Sequence, residues 1–209
     1  MEGIVRWFPL ERICELELEI TRRLKSARRS VRRDAIGVAL GLHGLRVGEV
    51  RKAEQRDLFA AARLLSVATS KGGKPRQLLL HQSLVDAIQL ELASRLVRSP
   101  LILANCRGQM VRARQLQTFA DAIFCQLLGA SHYLTFHSLR HTFAMRLYAE
   151  TRDLFLVQKM LGHRSIKTTE IYARSLQQVP ESCLVRVGDA IIRPAEEVWP
   201  GQQLRLFEP

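Results

Sequence analysis

Residues 135–150 read TFHSLRHTFAMRLYAE, a pattern that places an arginine on the apolar side of a helix. Thr135 is suited to cap the start of that helix. At about 100° per residue, four large apolar side chains share one face. They are Phe136, Leu139, Phe143 and Leu147. Arg140 lies at the edge of the same arc, one turn after His137. Because a buried guanidinium needs a charged partner, Arg140 is either paired to a carboxylate or directed into a pocket for an anion.

A second arginine in an unusual position occurs in GLHGLRVGEV, residues 41–50. Arg46 lies between Leu45 and Val47 on a turn flanked by glycines, and Glu49 follows three residues later. One interpretation is an internal ion pair between Arg46 and Glu49. The other is a pair of arginines that grip the oxygens of one phosphate from two sides.

A single tyrosine follows a Gly-His pair in LGHRSIKTTEIYAR, residues 161–174. The hydroxyl of Tyr172 can attack a phosphodiester, but its ordinary pKa of about 10 requires a base or a strong positive field. His137 and His163 can hydrogen-bond the phosphate or accept the proton of the phenol. Lys71, in the basic turn SKGGKPR, can donate a proton to the leaving oxygen. This cationic set makes a metal unnecessary, so no cofactor is expected.

The composition indicates one basic globular domain that binds a polyanion. The chain has 209 residues, 47% of them hydrophobic, a net charge of +12 and an isoelectric point near 10.4. Such an imbalance indicates nucleic acid more often than a membrane surface. The apolar run at 35–42 is too short to span a bilayer, and residues 1–10 do not resemble a signal peptide, which favours the cytoplasm. Four separated cysteines argue against a zinc site.

The periodicity predicts a mainly helical chain with three short strands. Apolar residues at helical spacing predict helices near 9–24, 33–42, 83–97, 112–128, 137–149 and 153–161. Strand-like runs at 58–59, 64–68 and 77–80 predict a small antiparallel sheet, with a basic hairpin tip at 70–76. After Pro180 the texture changes, and residues 183–194 alternate around Gly188-Asp189 as in a hairpin.

Five motifs in order resemble the tyrosine recombinase (phage integrase) family, including Xer-type recombinases and integron integrases. They are GLRVGEV, SKGGKPR, HSLRHTF, LGHRS and TTEIYAR, and the resemblance covers about residues 30–176. It implies a mainly α fold with a small three-stranded antiparallel sheet, shared with type IB topoisomerases. The expected organisation is an N-terminal helical arm at 1–30, the catalytic domain at 31–178 and a C-terminal tail at 179–209. Family members usually carry a DNA-clamping domain first, so the chain is expected to be a short member or a fragment.

The resemblance also implies roles for individual residues. Arg46 and Arg140 match the two phosphate-binding arginines, and Glu49 matches the acidic residue that supports the first of them. Tyr172 matches the nucleophile. Three further positions match the general acid of the hairpin and the two histidines of the site: Lys71, His137 and His163. His141 also fits the motif, as a structural residue.

The implied function is site-specific DNA recombination through a 3′-phosphotyrosyl intermediate. The family's scheme uses a homotetramer on two double-stranded DNA sites, and an accessory DNA-binding protein is a further expected partner. Two alternatives stay open, a topoisomerase-like nicking and closing enzyme and a non-catalytic DNA-binding relative. The arginine-rich run at 22–33 is either a solvated helix face or a stripe along phosphates. On the second interpretation, five residues are expected to contact DNA: Arg28, Arg29, Arg32, Arg33 and Lys74.

Overall fold

A computed structural model of the chain describes residues 6–68 and 75–176, without the side chains of residues 175 and 176. The predicted site residues Lys71 and Lys74 lie outside the described residues. So does the 179–209 tail, including its predicted hairpin.

The described residues form a mainly helical structure with one small sheet. The helices are α1 (Ile13–Leu24), α2 (Arg29–Leu42), α3 (Val47–Lys52), α4 (Gln82–Ala93), α5 (Ala113–Leu128), α6 (Phe136–Thr151), α7 (Leu154–Leu161) and α8 (Glu170–Leu176). The strands are β1 (Leu58–Phe59), β2 (Leu64–Val67) and β3 (Arg76–Leu79). Short 3₁₀ turns occur at Leu10–Arg12, Gln55–Asp57, Ala60–Ala62 and Ile166–Thr168. None of the described helices is long and apolar enough to cross a membrane.

The sheet is antiparallel throughout, in the order β1-β2-β3. Leu65 pairs with Leu58 on one side and with Leu78 on the other, and Val67 pairs with Arg76 at the end of β3. The predicted fold class, mainly α with a three-stranded antiparallel sheet, is confirmed. The short β1 agrees with the weak strand signal between the first arginine motif and the sheet.

Helix α2 forms the centre of the molecule, because nearly its whole length is buried. It packs against α1, α4, α5 and α6. The apolar face of α1, with Ile13, Leu16, Ile20 and Leu24, joins the same hydrophobic cluster. The predicted N-terminal arm at 1–30 therefore shares a hydrophobic cluster with α2, and the division at residue 30 stays a prediction.

The predicted helix boundaries of α2 and α4 are wrong by four residues. Helix α2 begins at Arg29 rather than at residue 33, and α4 ends at Ala93 rather than at residue 97. After α4 the chain turns, and the Arg95 guanidinium donates to the carbonyl oxygens of Leu101, at 2.5 Å, and Ile102. These bonds satisfy loop carbonyls that continued helix would leave without a donor.

Candidate active site

The predicted site residues come from the ends of four different helices. Arg46 is the N-cap residue of α3, and His137 and Arg140 lie in the first two turns of α6. His163 follows the glycine that ends α7, and Tyr172 lies in α8. The packing of α6 against α2, α7 and α8 brings these segments together.

Glu49 is the buried carboxylate at the centre of this arrangement. Its Oε2 accepts from the backbone N–H of Arg46 at 2.8 Å, and its Oε1 accepts from the Arg46 guanidinium at 3.1 Å. Arg76 donates from both terminal nitrogens, at 3.1 and 2.8 Å. Burial raises the pKa of Glu49, but these hydrogen bonds outweigh it and the pKa is lowered. The carboxylate is therefore ionised, with more than one positive charge around it.

Arg140 is fixed by main-chain oxygens, and its side chain is 1% exposed. Its Nη1 donates to the carbonyl oxygen of Gly44 at 2.5 Å and its Nη2 to that of Leu161 at 2.8 Å. Nη1 also lies 3.7 Å from Oε2 of Glu49. Burial and the neighbouring arginines lower the pKa of Arg140 to about 9, so it is charged at pH 7. A carboxylate thus lies close to Arg140 without forming a direct hydrogen bond, and the interpretation of Arg140 as an anion-binding residue stays a prediction.

Gly44 is required by the turn that presents this carbonyl to Arg140. Its φ is +89°, a conformation that other residues rarely adopt, and an added Cβ would lie 2.8 Å from the ring of Phe143. Gly44, in the motif of the first arginine, therefore positions an acceptor for the second one, Arg140.

Two histidines of the site are held in the neutral form. Burial and the charges of Arg140 and Arg46 lower the pKa of His163 to about 4, and the same causes lower the pKa of His137. Nδ1 of His163 lies 3.0 Å from the hydroxyl of Thr169. When that hydroxyl donates to Nδ1, Nε2 carries the proton and can donate to a phosphate oxygen.

Tyr172 is buried and its hydroxyl contacts a histidine. Its side chain is 1% exposed, and the hydroxyl lies 3.0 Å from Nδ1 of His141. Burial raises the pKa of Tyr172 to about 12, although Arg140 and Arg46 act in the opposite direction. The ring of His141 packs edge-on against His137 at 4.5 Å, and burial is the main cause that lowers its pKa to about 4. The interpretation of His141 as a structural residue stays a prediction, and the structure adds a contact of its ring with the candidate nucleophile.

Sequence reasoning missed Arg76 and Thr169. The alternation of β3 contained a signal for Arg76, since it shares the inward face with Leu78 and Leu80. An arginine on the apolar face of a strand needs a buried partner, as Arg140 does on its helix. Thr169 is fully buried although its neighbour Thr168 is exposed, and no pattern in the sequence separates the two.

The arginine-rich run is not a uniform solvated face. Arg28 is exposed, whereas Arg29 pairs with Glu91 at 2.9 Å. Arg32 and Arg33 are 4% and 8% exposed, and Arg33 pairs with Asp34. The solvated-face interpretation is wrong for Arg32 and Arg33, because Arg32 is buried beside Glu91 and Ser94 and Arg33 is buried beside Asp34. Contact of these arginines with DNA stays a prediction.

Within residues 6–68 and 75–176, one group of side chains has the spacing of a metal site. Ligand atoms of Asp121, Cys125 and His132 all lie within 4.8 Å of one another. Nδ1 of His132 accepts from the backbone N–H of Leu134 at 3.1 Å, so the ring proton is on Nε2. Nε2 lies 3.3 Å from both the Cys125 sulfur and the Asp121 carboxylate. A metal bound at Nε2 would require the ring proton on Nδ1, where it would face the Leu134 N–H. In this state the three side chains therefore form a hydrogen-bonded cluster.

The fold and this arrangement of arginines, histidines and a tyrosine define a tyrosine recombinase catalytic domain. The model of the phage integrase family matches residues 17–178, and the chain belongs to that family.

The similar proteins are recombinases that are longer than this chain. Tyrosine recombinase XerC of Pelobacter propionicus is 37% identical over 142 residues, which are 66% of this chain and 46% of the relative. Tyrosine recombinase XerA of Pyrococcus furiosus is 31% identical over 131 residues, 63% of this chain and 46% of the relative. The chain thus spans about half the length of these curated relatives.

Solved structures confirm the fold. The XerH site-specific recombinase bound to a palindromic difH substrate, in a post-cleavage complex, superposes with a TM-score of 0.71 at 23% identity. That match covers 84% of this chain and 51% of XerH. XerA recombinase gives a TM-score of 0.65 at 23% identity, over 88% of this chain and 64% of XerA.

Proposed function

We propose that this chain is the catalytic part of a site-specific DNA recombinase, with Tyr172 as nucleophile. The observation that carries the proposal is the convergence of Arg46, Arg140, neutral histidines and Tyr172 at the meeting point of α3, α6, α7 and α8. Burial raises the pKa of Tyr172, and the charges of Arg140 and Arg46 act against that rise, which supports a phosphate site for these arginines on the side of the Tyr172 hydroxyl. Membership of the phage integrase family supports the same assignment.

In the proposed reaction, the oxygen of Tyr172 attacks the phosphorus of a phosphodiester in double-stranded DNA. The bond from phosphorus to the 5′-oxygen breaks, and Lys71 protonates that oxygen as it leaves. The proton of the phenol passes to a neutral imidazole, and His141 is the ring that the hydroxyl already contacts. Arg46 and Arg140 offset the charge that develops on the non-bridging oxygens, while His137 and His163 hydrogen-bond them.

The 3′-phosphotyrosyl bond conserves the energy of the phosphodiester. A 5′-hydroxyl of the same or another strand can therefore attack it, re-form the DNA and release the tyrosine. The cationic side chains supply the charge stabilisation, so we propose that neither a divalent metal nor a nucleotide is required. In the proposed assembly, four copies exchange strands between two DNA sites.

A nicked duplex that loses a short fragment after cleavage tests this proposal, because the lost fragment prevents resealing. Incubation in EDTA should give a covalent protein–DNA complex with the unaltered chain. Tyr172→Phe removes only the hydroxyl and should bind the same DNA without forming the complex. A complex with the Phe variant would overturn the assignment of the nucleophile, and a strict requirement for magnesium would overturn the metal-free mechanism.

A further inference from the structure

Arg76 is a buried arginine that the proposed reaction does not use. It is the first residue of β3, its side chain is 4% exposed, and it lies on the inward face of the strand. Both of its terminal nitrogens donate to Glu49, at 3.1 and 2.8 Å. This two-point contact is the strongest and most directional form of an arginine–carboxylate pair.

The same guanidinium also reaches the support of the second arginine. Nη2 of Arg76 lies 3.5 Å from the carbonyl oxygen of Gly44, which accepts from Arg140 at 2.5 Å. The Glu49 carboxylate, in turn, accepts from both the backbone N–H and the guanidinium of Arg46. Arg76 is therefore in contact with the two groups that fix the two phosphate-binding arginines.

The charges explain what Arg76 does there. Glu49 carries one negative charge and has three arginines within 4 Å of its oxygens. Without Arg76, both oxygens could turn fully toward Arg46 and Arg140 and form closed ion pairs with them. These two guanidiniums would then be held by the carboxylate instead of being presented to a phosphate. A misplacement of about 1 Å at reacting groups can cost about 10²-fold in rate.

We propose that Arg76 is a positioning residue that occupies Glu49, so that Arg46 and Arg140 remain available to the phosphate. Arg76 acts through Glu49 and the Gly44 carbonyl and does not itself contact DNA. This inference rests on the proposed function, because it gives a role to a residue behind the same phosphate-binding arginines.

The test compares Arg76→Met and Arg76→Lys with Arg95→Met on the nicked substrate. Arg95 is an equally buried arginine, 4% exposed, that is close to Glu91 at 3.7 Å and bonds loop carbonyls instead of Glu49. Arg76→Met should form the covalent complex about 10²-fold more slowly. Arg76→Lys should recover part of the loss, since lysine keeps the charge but not the two-point contact. Arg95→Met, corrected for the folded fraction by circular dichroism, should cleave at the unaltered rate.

A double substitution shows whether Arg76 acts through Glu49. Glu49→Gln alone should slow cleavage, and adding Arg76→Met to it should cause less than about a threefold further loss, because both changes interrupt one interaction. Equal fold-losses in the two backgrounds would overturn the proposal and indicate that Arg76 contacts the DNA itself.

A binding measurement keeps this inference separate from the proposed function. Inorganic phosphate, titrated by calorimetry, should bind Arg76→Met about tenfold more weakly than the unaltered chain, because two charge-assisted contacts are misplaced. Arg95→Met should bind phosphate normally. A chain that cleaves no DNA but shows this difference would refute the proposed function and support the positioning role. Equal phosphate affinity in Arg76→Met would overturn the positioning role whatever the cleavage result.

Discussion

Two buried glutamates in this molecule are each surrounded by three arginines. Glu49 is near Arg46, Arg76 and Arg140, at 3.1, 2.8 and 3.7 Å. Glu91 is near Arg29, Arg32 and Arg95, at 2.9, 3.6 and 3.7 Å. Their side chains are 2% and 0% exposed. By charge and burial the two clusters are nearly the same.

They differ in what else their arginines contact. Arg32 donates to the carbonyl oxygen of Ser26 and the hydroxyl of Ser94, and Arg95 donates to loop carbonyls, so the Glu91 cluster links α2 to α4 and the following loop. Burial lowers the pKa of His137 and His163, and the charges of Arg140 and Arg46 lower it further. Burial raises the pKa of Tyr172, and the same two arginines act in the opposite direction. We therefore expect the Glu49 cluster, which has titratable and nucleophilic groups in its field, to be the reactive one.

The largest expected effect on cleavage comes from substituting Arg46, the most exposed arginine of the Glu49 cluster. Arg46→Ala should slow covalent cleavage by about 10²–10³-fold, because it removes a donor to the developing charge. The matched control is Arg12→Ala. Arg12 is 38% exposed and pairs with a glutamate three residues on, as the 39% exposed Arg46 does. A similar rate loss in both variants would show that the Glu49 cluster has no special role.

The Glu91 cluster should matter for stability instead. Glu91→Gln leaves buried arginines without their counter-charge, and breaking such a group costs about 3–5 kcal/mol of unfolding free energy. Urea denaturation measures this loss. The fraction that remains folded should form the covalent complex at the unaltered rate, and a tenfold slower rate would mean that the cluster is coupled to the active site.

His141, which lies next to His137 and Tyr172, should make the free energy of unfolding depend on pH. The pKa of His141 is about 4 in the folded protein, below its ordinary 6.5, so the folded state binds fewer protons than the unfolded chain between these pH values. Its contribution to stability is present above pH 6.5 and is lost as pH falls, by about 2 kcal/mol between pH 7 and pH 5.

Other groups titrate in the same range, so the comparison is between variants. The pKa of Glu17 is raised to about 7 by burial, which acts in the opposite direction. His141→Gln should therefore lose about 2 kcal/mol less than the unaltered chain over this interval, measured by urea denaturation at both pH values. Parallel curves would show that His141 is already charged or already exposed.

The smallest expected effect is on DNA affinity, from an exposed arginine at the start of α2 that is not part of the candidate active site. Arg28→Gln should weaken binding about two- to fivefold at low salt and reduce the salt slope by about 0.9, which is the value for one phosphate contact. The fold should be unaffected, because Arg28 is exposed. Arg107→Gln, at another exposed arginine, is the control. An equal change in both variants would remove the evidence for a specific contact at residues 22–33.

The sequence predicted the groups that motifs and periodicity encode. The sheet, the helix at 137–149 and the apolar face of α1 were predicted because their spacing repeats along a single element. Arg46, Glu49, Arg140 and Tyr172 were predicted because each occurs in a recognisable motif. The contact between His141 and Tyr172 could not be predicted, since it depends on how α8 packs against α6.

Which arginines of residues 22–33 are buried could not be predicted from the sequence either. Because α2 begins at Arg29, four residues earlier than predicted, Arg29 and Arg32 belong to this helix, whereas Arg28 is its exposed N-cap residue. Two carboxylates decide whether these arginines are buried or solvated. Asp34 is one residue from its partner Arg33, whereas Glu91 is 59 residues from its partner Arg32. Only the nearer carboxylate is visible as a local pattern.

The most direct measurement is to identify the residue that is joined to DNA in the covalent complex. The chain has three tyrosines, and Tyr133 is 73% exposed whereas Tyr172 is 1% exposed. Reactivity governed by exposure alone would favour Tyr133, but placement beside Arg46, Arg140 and His141 favours Tyr172. After nuclease and protease digestion, mass spectrometry should find the nucleotide on the peptide that contains Tyr172, attached through a 3′-phosphate. A nucleotide on Tyr133 or Tyr148, or a 5′-phosphate linkage, would contradict this account.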